Sequence, residues 1–167
     1  MSSLYYVKLG KIVKEFDLEV LRGAEGYEER RIETEDINRP GLQLTGFFDY
    51  FDPSRLQVIG KVETTYLEGL SPQQRRDSFE QLLSQDITAL IIARGIEPFP
   101  ECMEMAEKYD RTILRSQETT STLISTLIAG LKTYLSPRIT RHGVLVDVYG
   151  EGVLLLGESG VGKSETA

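Results

Sequence analysis

The chain has 167 residues, 40% of them hydrophobic and 27% charged, which is the composition of an ordinary folded domain. Its net charge of −7 argues against non-specific binding to nucleic acid or to an anionic membrane, because both favour basic surfaces. It shows no secretory signal and no apolar stretch approaching the ~20 residues of a membrane helix, so we expect a cytoplasmic protein that binds neither nucleic acid nor membrane.

Helical and strand patterns alternate along the first part of the chain. Leu9, Ile12, Val13 and Phe16 share one face of the first predicted helix. Ser71 can cap the free N–H groups of a helix that Pro72 opens. The predicted order is helix 7–16, strand 18–21, strand 30–34, strand 55–60, helix 72–84, strand 88–93, helix 100–109, strand 111–115 and helix 119–135. This alternation favours an α/β domain.

Three features of this part of the chain are interpreted as structural. The only cysteine, Cys102, excludes an intramolecular disulfide and is interpreted as a small apolar side chain on a helix. Leucines recur at every fourth residue of the last helix, which is typical of core packing: Leu123, Leu127, Leu131 and Leu135. Acidic residues interleaved with Arg30 and Arg31 are interpreted as solvated surface, because neither spacing nor histidines support a metal site: Glu28, Glu29, Glu33, Glu35 and Asp36.

After His142 the apolar pattern changes to a period of two. The stretches GVLVDVY and VLLLGES, joined by a glycine-rich turn, predict a β-hairpin over 143–156. Within it Asp147 alternates with valines and is interpreted as a solvent-facing carboxylate. We therefore place a domain boundary near residue 132, with one domain over 1–131 and the start of a second over 132–167.

The residues that carry chemistry follow this hairpin and fit the pattern G-x-x-x-x-G-K-[S/T]. Glycines let the backbone point successive N–H groups at phosphate oxygens, and the helix that starts near Gly162 adds its positive dipole end. Lys163 can hold the β- and γ-phosphates, and the Ser164 hydroxyl can ligate Mg²⁺. The predicted ATP or phosphate site is Gly157, Glu158, Ser159, Gly160, Val161, Gly162, Lys163 and Ser164.

The residues alone leave alternatives open. A glycine turn that caps a helix is the structural alternative for the loop, although the apolar strand before it and the helix-forming residues after it favour phosphate binding. His142, the only histidine, is more often structural than catalytic in such a position. No acidic residue is identified that would organise Mg²⁺ or activate a nucleophile, so we expect the sequence to be part of a longer protein.

The stretch 141–167 closely resembles the HPr kinase/phosphorylase family of bacteria. In that family a histidine–glycine pair, a short hairpin and the loop G-E-S-G-x-G-K-S-E-T-A follow one another as they do here. The Glu-Thr extension makes this match far more specific than a P-loop pattern alone. The stretches 37–68 and 90–116 also look like the family's regulatory N-terminal domain.

The resemblance implies a bifunctional enzyme that is Mg²⁺-dependent, cytoplasmic and typically hexameric, and that controls carbon catabolite repression. Such enzymes use ATP or pyrophosphate to phosphorylate a serine of HPr, the phosphocarrier of the sugar phosphotransferase system, and inorganic phosphate to remove it. The implied fold is an N-terminal α/β domain resembling part of the muramyl ligases, followed by a P-loop kinase domain resembling phosphoenolpyruvate carboxykinase. By position, His142 and Lys163 would be catalytic and Ser164 would ligate Mg²⁺.

Two other functions stay open at this point. The chain could serve as a catalytically inert oligomerisation or regulatory module, because the expected catalytic acid is not in the sequence. A generic P-loop ATPase or GTPase is less favoured, since the predicted hairpin before the loop differs from the parallel strand that usually leads into such loops.

Overall fold

The structure, a computed structural model, describes residues 5–136. The elements in chain order are β1 (Val7–Lys8), α1 (Leu9–Glu15), β2 (Glu19–Arg22), a 3₁₀ turn (Tyr27–Glu29), β3 (Arg31–Ile32), β4 (Ile37–Asn38), α2 (Gly41–Leu44), β5 (Leu56–Ile59), α3 (Lys61–Glu68), α4 (Pro72–Leu83), β6 (Leu90–Ile92), α5 (Pro100–Tyr109), β7 (Ile113–Arg115) and α6 (Thr120–Leu135). The predicted α/β class is confirmed.

A five-stranded sheet of order β2-β7-β6-β5-β4 forms the centre of this domain. The strands β4 to β7 are parallel, and β2 joins antiparallel to β7 at one edge. A separate two-stranded ribbon pairs β1 with β3. The helices between the parallel strands, α2 to α5, contribute to one hydrophobic core and therefore lie on one face of the sheet.

The sheet is covered on both faces, and each face has its own hydrophobic core. One core contains the apolar residues of α2 to α5, and the other contains those of α1 and α6. Neighbouring strand residues alternate between the two, so that Val58 packs with α1 and α6 whereas Ile59 packs with the opposite helices. Strands buried on both faces read as continuous apolar runs, which explains the run at 88–93.

The longer helices begin where capping residues predict. The Ser71 hydroxyl accepts a hydrogen bond from the Gln74 N–H at 3.2 Å, and the Gln74 side chain accepts one from the Ser71 N–H at 2.9 Å. Thr119 caps α6 by accepting from the Thr122 N–H at 3.3 Å. The leucine stripe of α6 is confirmed as core, since Leu123, Leu127 and Leu131 are buried and Leu135 is partly buried against the same core. The proposed boundary near residue 132 falls inside α6 and stays a prediction.

Candidate functional site

The predicted nucleotide site lies outside the described residues. This holds for His142, for the hairpin 143–156 and for the whole loop 157–164, so their assignments stay predictions. The described residues instead show the domain that precedes this loop, the helix that leads toward it, and the polar positions where an α/β fold could bind a ligand.

The helix α6 connects this domain to the segment that carries the predicted loop. Its buried leucines hold it on the sheet, and Gly130 lies so close to α1 that an added Cβ would stand 2.6 Å from the Phe16 ring. The Tyr134 hydroxyl donates a hydrogen bond to Glu15, and this bond together with burial raises the pKa of Tyr134. Lys11 lies 5.4 Å from the Tyr134 ring centroid. The last turn of α6 is therefore fixed on α1.

The carboxyl edge of the parallel strands is where ligands bind in many open α/β sheets. Here that edge brings together Gly60 after β5, Arg94 and Gly95 after β6, and Thr120 at the start of α6. The N–H groups of Arg94 and Gly95 donate to the carbonyls of Glu118 and Ser116 at 2.7 Å each. These backbone groups are thus occupied by the chain itself.

An ion pair lies at the same carboxyl edge of the sheet, beside β4. Arg39 binds Glu63 through two hydrogen bonds of 2.9 Å, and the Gly60 N–H donates to Glu63 at 2.8 Å. Burial would raise the pKa of Glu63, but these hydrogen bonds outweigh burial and hold that pKa below its usual value. Glu63 therefore caps α3 as a carboxylate, in place of the side-chain cap that Gly60 lacks.

A cleft of about 180 Å³ lies at the opposite, amino edge of the sheet, with Arg30, Thr88 and Arg111 in its lining. Arg30 binds the Asp86 carboxylate at 3.1 Å. The Arg111 Nε donates to the Leu83 carbonyl at 2.7 Å. Because both guanidinium groups are engaged by the chain, the cleft does not offer a free cation to an anionic ligand.

Cys102 and the acidic residues do not form a metal or nucleophilic site. Cys102 is a buried side chain on α5, as the sequence predicts, and burial raises the pKa of its thiol to about 12, so the thiol stays neutral. Among residues 5–136 no group of histidine, cysteine or carboxylate side chains is arranged to hold a metal ion. Within the same residues no helix is long and apolar enough to cross a membrane.

Two family models cover almost the whole chain. The model described as HPr Serine kinase N terminus matches residues 7–131, and the model described as HPr Serine kinase C-terminal domain matches residues 133–167. The chain belongs to the HPr serine kinase family. The described α/β domain corresponds to the N-terminal model, and the predicted phosphate loop lies in the segment matched by the C-terminal model.

Similar proteins of this family are named HPr kinase/phosphorylase. One from Caldicellulosiruptor bescii is 52% identical over 98% of this chain and 53% of its own length. One from Alkaliphilus metalliredigens is 49% identical over 96% of this chain and 52% of its own length. The chain thus spans about half the length of the curated relatives that it matches.

A solved structure shares the fold at low sequence identity. It comprises the CBS and DRTGG domains of the regulatory region of Clostridium perfringens pyrophosphatase, in complex with its activator diadenosine tetraphosphate. The match has a TM-score of 0.56 and 17% identity, and covers 83% of this chain and 53% of that one. It shows that the domain fold also occurs in a regulatory region of another enzyme.

Sequence reasoning missed the polar pairs that shape this domain. Arg39 with Glu63 and Arg75 with Glu101 join residues that are distant in sequence. The role of Glu63 had a sequence signal, because a glutamate three residues after a helix start is the pattern of a capping box. The partner arginines had no such signal.

Proposed function

We propose that the protein is an HPr kinase/phosphorylase. It phosphorylates a serine of the phosphocarrier HPr with ATP or pyrophosphate, and it removes the phosphate with inorganic phosphate. The observation that carries this proposal is the pair of family models, which join the described domain to a segment containing G-E-S-G-V-G-K-S. Two relatives that are 52% and 49% identical to the chain are named HPr kinase/phosphorylase.

The two directions share one chemical step, transfer of a phosphoryl group between oxygens. In the kinase direction the HPr serine hydroxyl attacks the terminal phosphorus of the donor, ADP or phosphate leaves, and the serine proton passes to a base. In the phosphorylase direction a phosphate oxygen attacks the phosphoserine phosphorus, so that pyrophosphate forms and serine is released. In both directions the main task of the protein is to stabilise the negative charge on the transferred group.

The loop residues suit that demand. The backbone N–H groups of Gly157, Glu158, Ser159, Gly160, Val161 and Gly162 would bind phosphate oxygens. Lys163 would neutralise negative charge on the transferred phosphoryl group. His142 would be the second catalytic residue. The hydroxyl of Ser164 is a hard oxygen ligand of the kind Mg²⁺ prefers, so Ser164 would hold the ion, whose positive charge would help to offset the negative charge of the phosphate groups.

The described domain would serve regulation or assembly rather than chemistry. Its buried carboxylates Glu63 and Glu101 form ion pairs with arginines of the same domain, and burial keeps Cys102 a neutral thiol. We further propose a cytoplasmic homo-hexamer, a first domain resembling part of the muramyl ligases over 1–131, and a kinase domain resembling phosphoenolpyruvate carboxykinase from residue 132. The enzyme would control carbon catabolite repression through HPr.

A phosphotransfer assay tests the function. The full-length protein, purified HPr and Mg²⁺ with ATP labelled at the γ-phosphate should give labelled HPr. Inorganic phosphate added after removal of ATP should then release label as pyrophosphate. Replacement of the target serine of HPr by alanine is the control and should abolish labelling. Nucleotide hydrolysis without HPr labelling would instead support a generic P-loop NTPase.

A further inference from the structure

Two helices begin side by side at the carboxyl edge of the sheet. The helix α3 lies on the face that carries α2 to α5, whereas α6 lies on the opposite face. Their starts touch, because a Cβ added to Gly60 would lie 2.0 Å from the Thr120 Oγ1. Connections that leave an open α/β sheet toward opposite faces form a crevice in which such proteins bind ligands. We name this place the α3–α6 edge and define it by Gly60, Lys61, Arg94, Thr120 and Ser121.

Both helices present backbone N–H groups at this edge. The first N–H groups of an α-helix have no partner within the helix, and they carry the positive end of its dipole. In α6 the Thr119 hydroxyl accepts a hydrogen bond from the Thr122 N–H. The N–H groups of Thr120 and Ser121 donate to no other group within residues 5–136, so they can donate to an anionic ligand.

The Thr120 side chain adds a buried polar group that is unpaired. Thr120 is 6% exposed, and its Oγ1 has no hydrogen-bond partner in the part of the chain that the structure describes. Buried hydroxyl groups are nearly always hydrogen-bonded, so an unpaired one needs an explanation. This hydroxyl lies between the two helix starts, against Gly60. An anion held by both helix starts would supply the acceptor that it lacks.

Two cationic side chains stand at the same edge. Ile59 of β5 pairs with Ile92 of β6, so Lys61 and Arg94 each come two residues after neighbouring positions. Adjacent strands lie about 4.8 Å apart, which brings the two chain segments close together. Both side chains are exposed, and neither forms an ion pair with another described residue. Glu118 is also exposed at this edge, but the two cations exceed its charge.

Arg94 is held beside the start of α6 in an uncommon backbone conformation. Its φ is 62°, in the left-handed region that residues other than glycine seldom adopt, and Gly95 follows with a φ of 64°. Their N–H groups donate to the carbonyls of Glu118 and Ser116 at 2.7 Å each, which attaches this loop to the segment before α6. Residues in such conformations are concentrated at ligand sites.

We propose that the α3–α6 edge binds a small anion that carries a phosphate group, at a site separate from the predicted phosphate loop. The N–H groups of Thr120 and Ser121 would donate to its oxygens, as would the Thr120 hydroxyl. Lys61 and Arg94 would neutralise its charge, and two cations beside two helix starts favour a phosphate over a singly charged carboxylate. This proposal rests on the described residues and not on the proposed enzymatic activity.

Hydrogen–deuterium exchange of the full-length protein, followed by mass spectrometry, tests this site with inorganic phosphate as the probe. Phosphate should slow exchange in peptides that cover 118–122, and Arg94→Asn should raise the dissociation constant measured there about tenfold. Asparagine tolerates the left-handed conformation, so this variant keeps the backbone. Lys14→Asn is the matched control and should bind phosphate like the wild type. Lys14 precedes Glu15, which binds Tyr134 at the other end of α6.

Two further variants separate this site from the predicted phosphate loop. Thr120→Val keeps the shape of the side chain but removes the hydroxyl, so it should weaken the protection of 118–122. Lys163→Ala should reduce the protection of 157–164 and leave that of 118–122 unchanged. Exchange at 118–122 that does not respond to phosphate would overturn the proposal. Protection there that survives Arg94→Asn in full, or that Lys163→Ala abolishes, would overturn it as well.

Discussion

At the residue scale, Gly60 precedes the first residue of α3 and lies against Thr120, the first residue of α6. A Cβ added to Gly60 would lie 2.0 Å from the Thr120 Oγ1 and 3.0 Å from its Cβ, so there is no room for a side chain. The Thr120 hydroxyl is buried and has no hydrogen-bond partner. This contact sets how closely the start of α6 approaches the end of β5.

We predict that Gly60→Ala lowers the free energy of unfolding by about 1–3 kcal/mol, because the added methyl group overpacks a buried contact. Thr120→Ala should be tolerated, since it removes an unpaired hydroxyl, and it should partly restore stability in the Gly60→Ala background. Urea denaturation gives these values. Gly41→Ala is the matched control, since nothing lies within 4 Å of its added Cβ. Equal free energies of unfolding for Gly60→Ala and Gly41→Ala would contradict this packing.

The carboxylate of Glu63 makes the stability of the domain depend on pH. Its pKa is held below the usual value in the folded protein, mainly by Arg39 and the Gly60 N–H against the opposing effect of burial. Its contribution is therefore complete above the unfolded pKa, about 4.3, and is lost as the pH falls through the lower folded pKa.

We predict that Arg39→Met makes the free energy of unfolding depend less steeply on pH in the acid range. Without Arg39, burial raises the pKa of Glu63, so that protonation no longer destabilises the fold by the same amount. Denaturant midpoints between neutral and acidic pH measure the slope for the wild type and the variant. The variant should be less stable at neutral pH and should approach the wild type in acid. Parallel pH profiles would contradict the role of this pair.

At the element scale, one arginine joins α3, α4 and α5. The Arg75 Nε donates to Glu101 at 2.9 Å, and its Nη1 donates to the carbonyls of Leu67 and Leu70 at 2.9 and 3.1 Å. The guanidinium lies 4.9 Å from the Phe99 ring centroid. The side chains of Arg75 and Glu101 are 15% and 9% exposed, so this pair is mostly withdrawn from water.

We predict that Arg75→Met destabilises the domain by about 3–5 kcal/mol, because it leaves the Glu101 carboxylate buried without its partner. The neighbouring pair of Arg76 with Glu104 provides a control, since it joins the same two helices but is far more exposed. Arg76→Met should cost less than about 1 kcal/mol. Thermal and urea unfolding compare the two. Similar losses would show that burial does not distinguish these pairs.

The elements that the sequence predicted well are those with local signals. The Ser71 and Pro72 start, the apolar run at 88–93 and the leucines of α6 each identify an element without its neighbours. The helix α3 was missed because it begins after a glycine and contains β-branched residues, so its start depends on Glu63 and its partner Arg39. The strand β4 has two residues and exists through its pairing with β5.

The candidate site, like the fold, could be predicted only where the sequence carries a local pattern. The predicted phosphate loop has a pattern of fixed spacing, so its residues could be proposed from the sequence alone. The exposed apolar residues could not be predicted in this way, because Leu42, Phe47 and Val62 have no common period. Only the structure shows that Val62 is exposed while Leu67 on the same helix is buried.

At the scale of the whole molecule, the described residues form an α/β unit whose two cores contain residues from Val7 to Leu135. Its final helix, α6, is fixed on α1 through Tyr134 and Glu15. The C-terminal family model matches residues 133–167, which include the predicted phosphate loop. The central claim is that this loop carries phosphoryl transfer to and from HPr, while the first domain does not.

The most direct test of that claim is phosphotransfer by the full-length protein with Lys163→Ala. We predict that this variant loses about a hundredfold or more of both the kinase and the phosphorylase rates, because the charge on the transferred group is no longer neutralised. Lys132→Ala on α6 is the matched control and should keep both rates. The assembly state, measured by light scattering, should be unchanged in both variants. Full transfer activity in the Lys163→Ala protein would contradict the account.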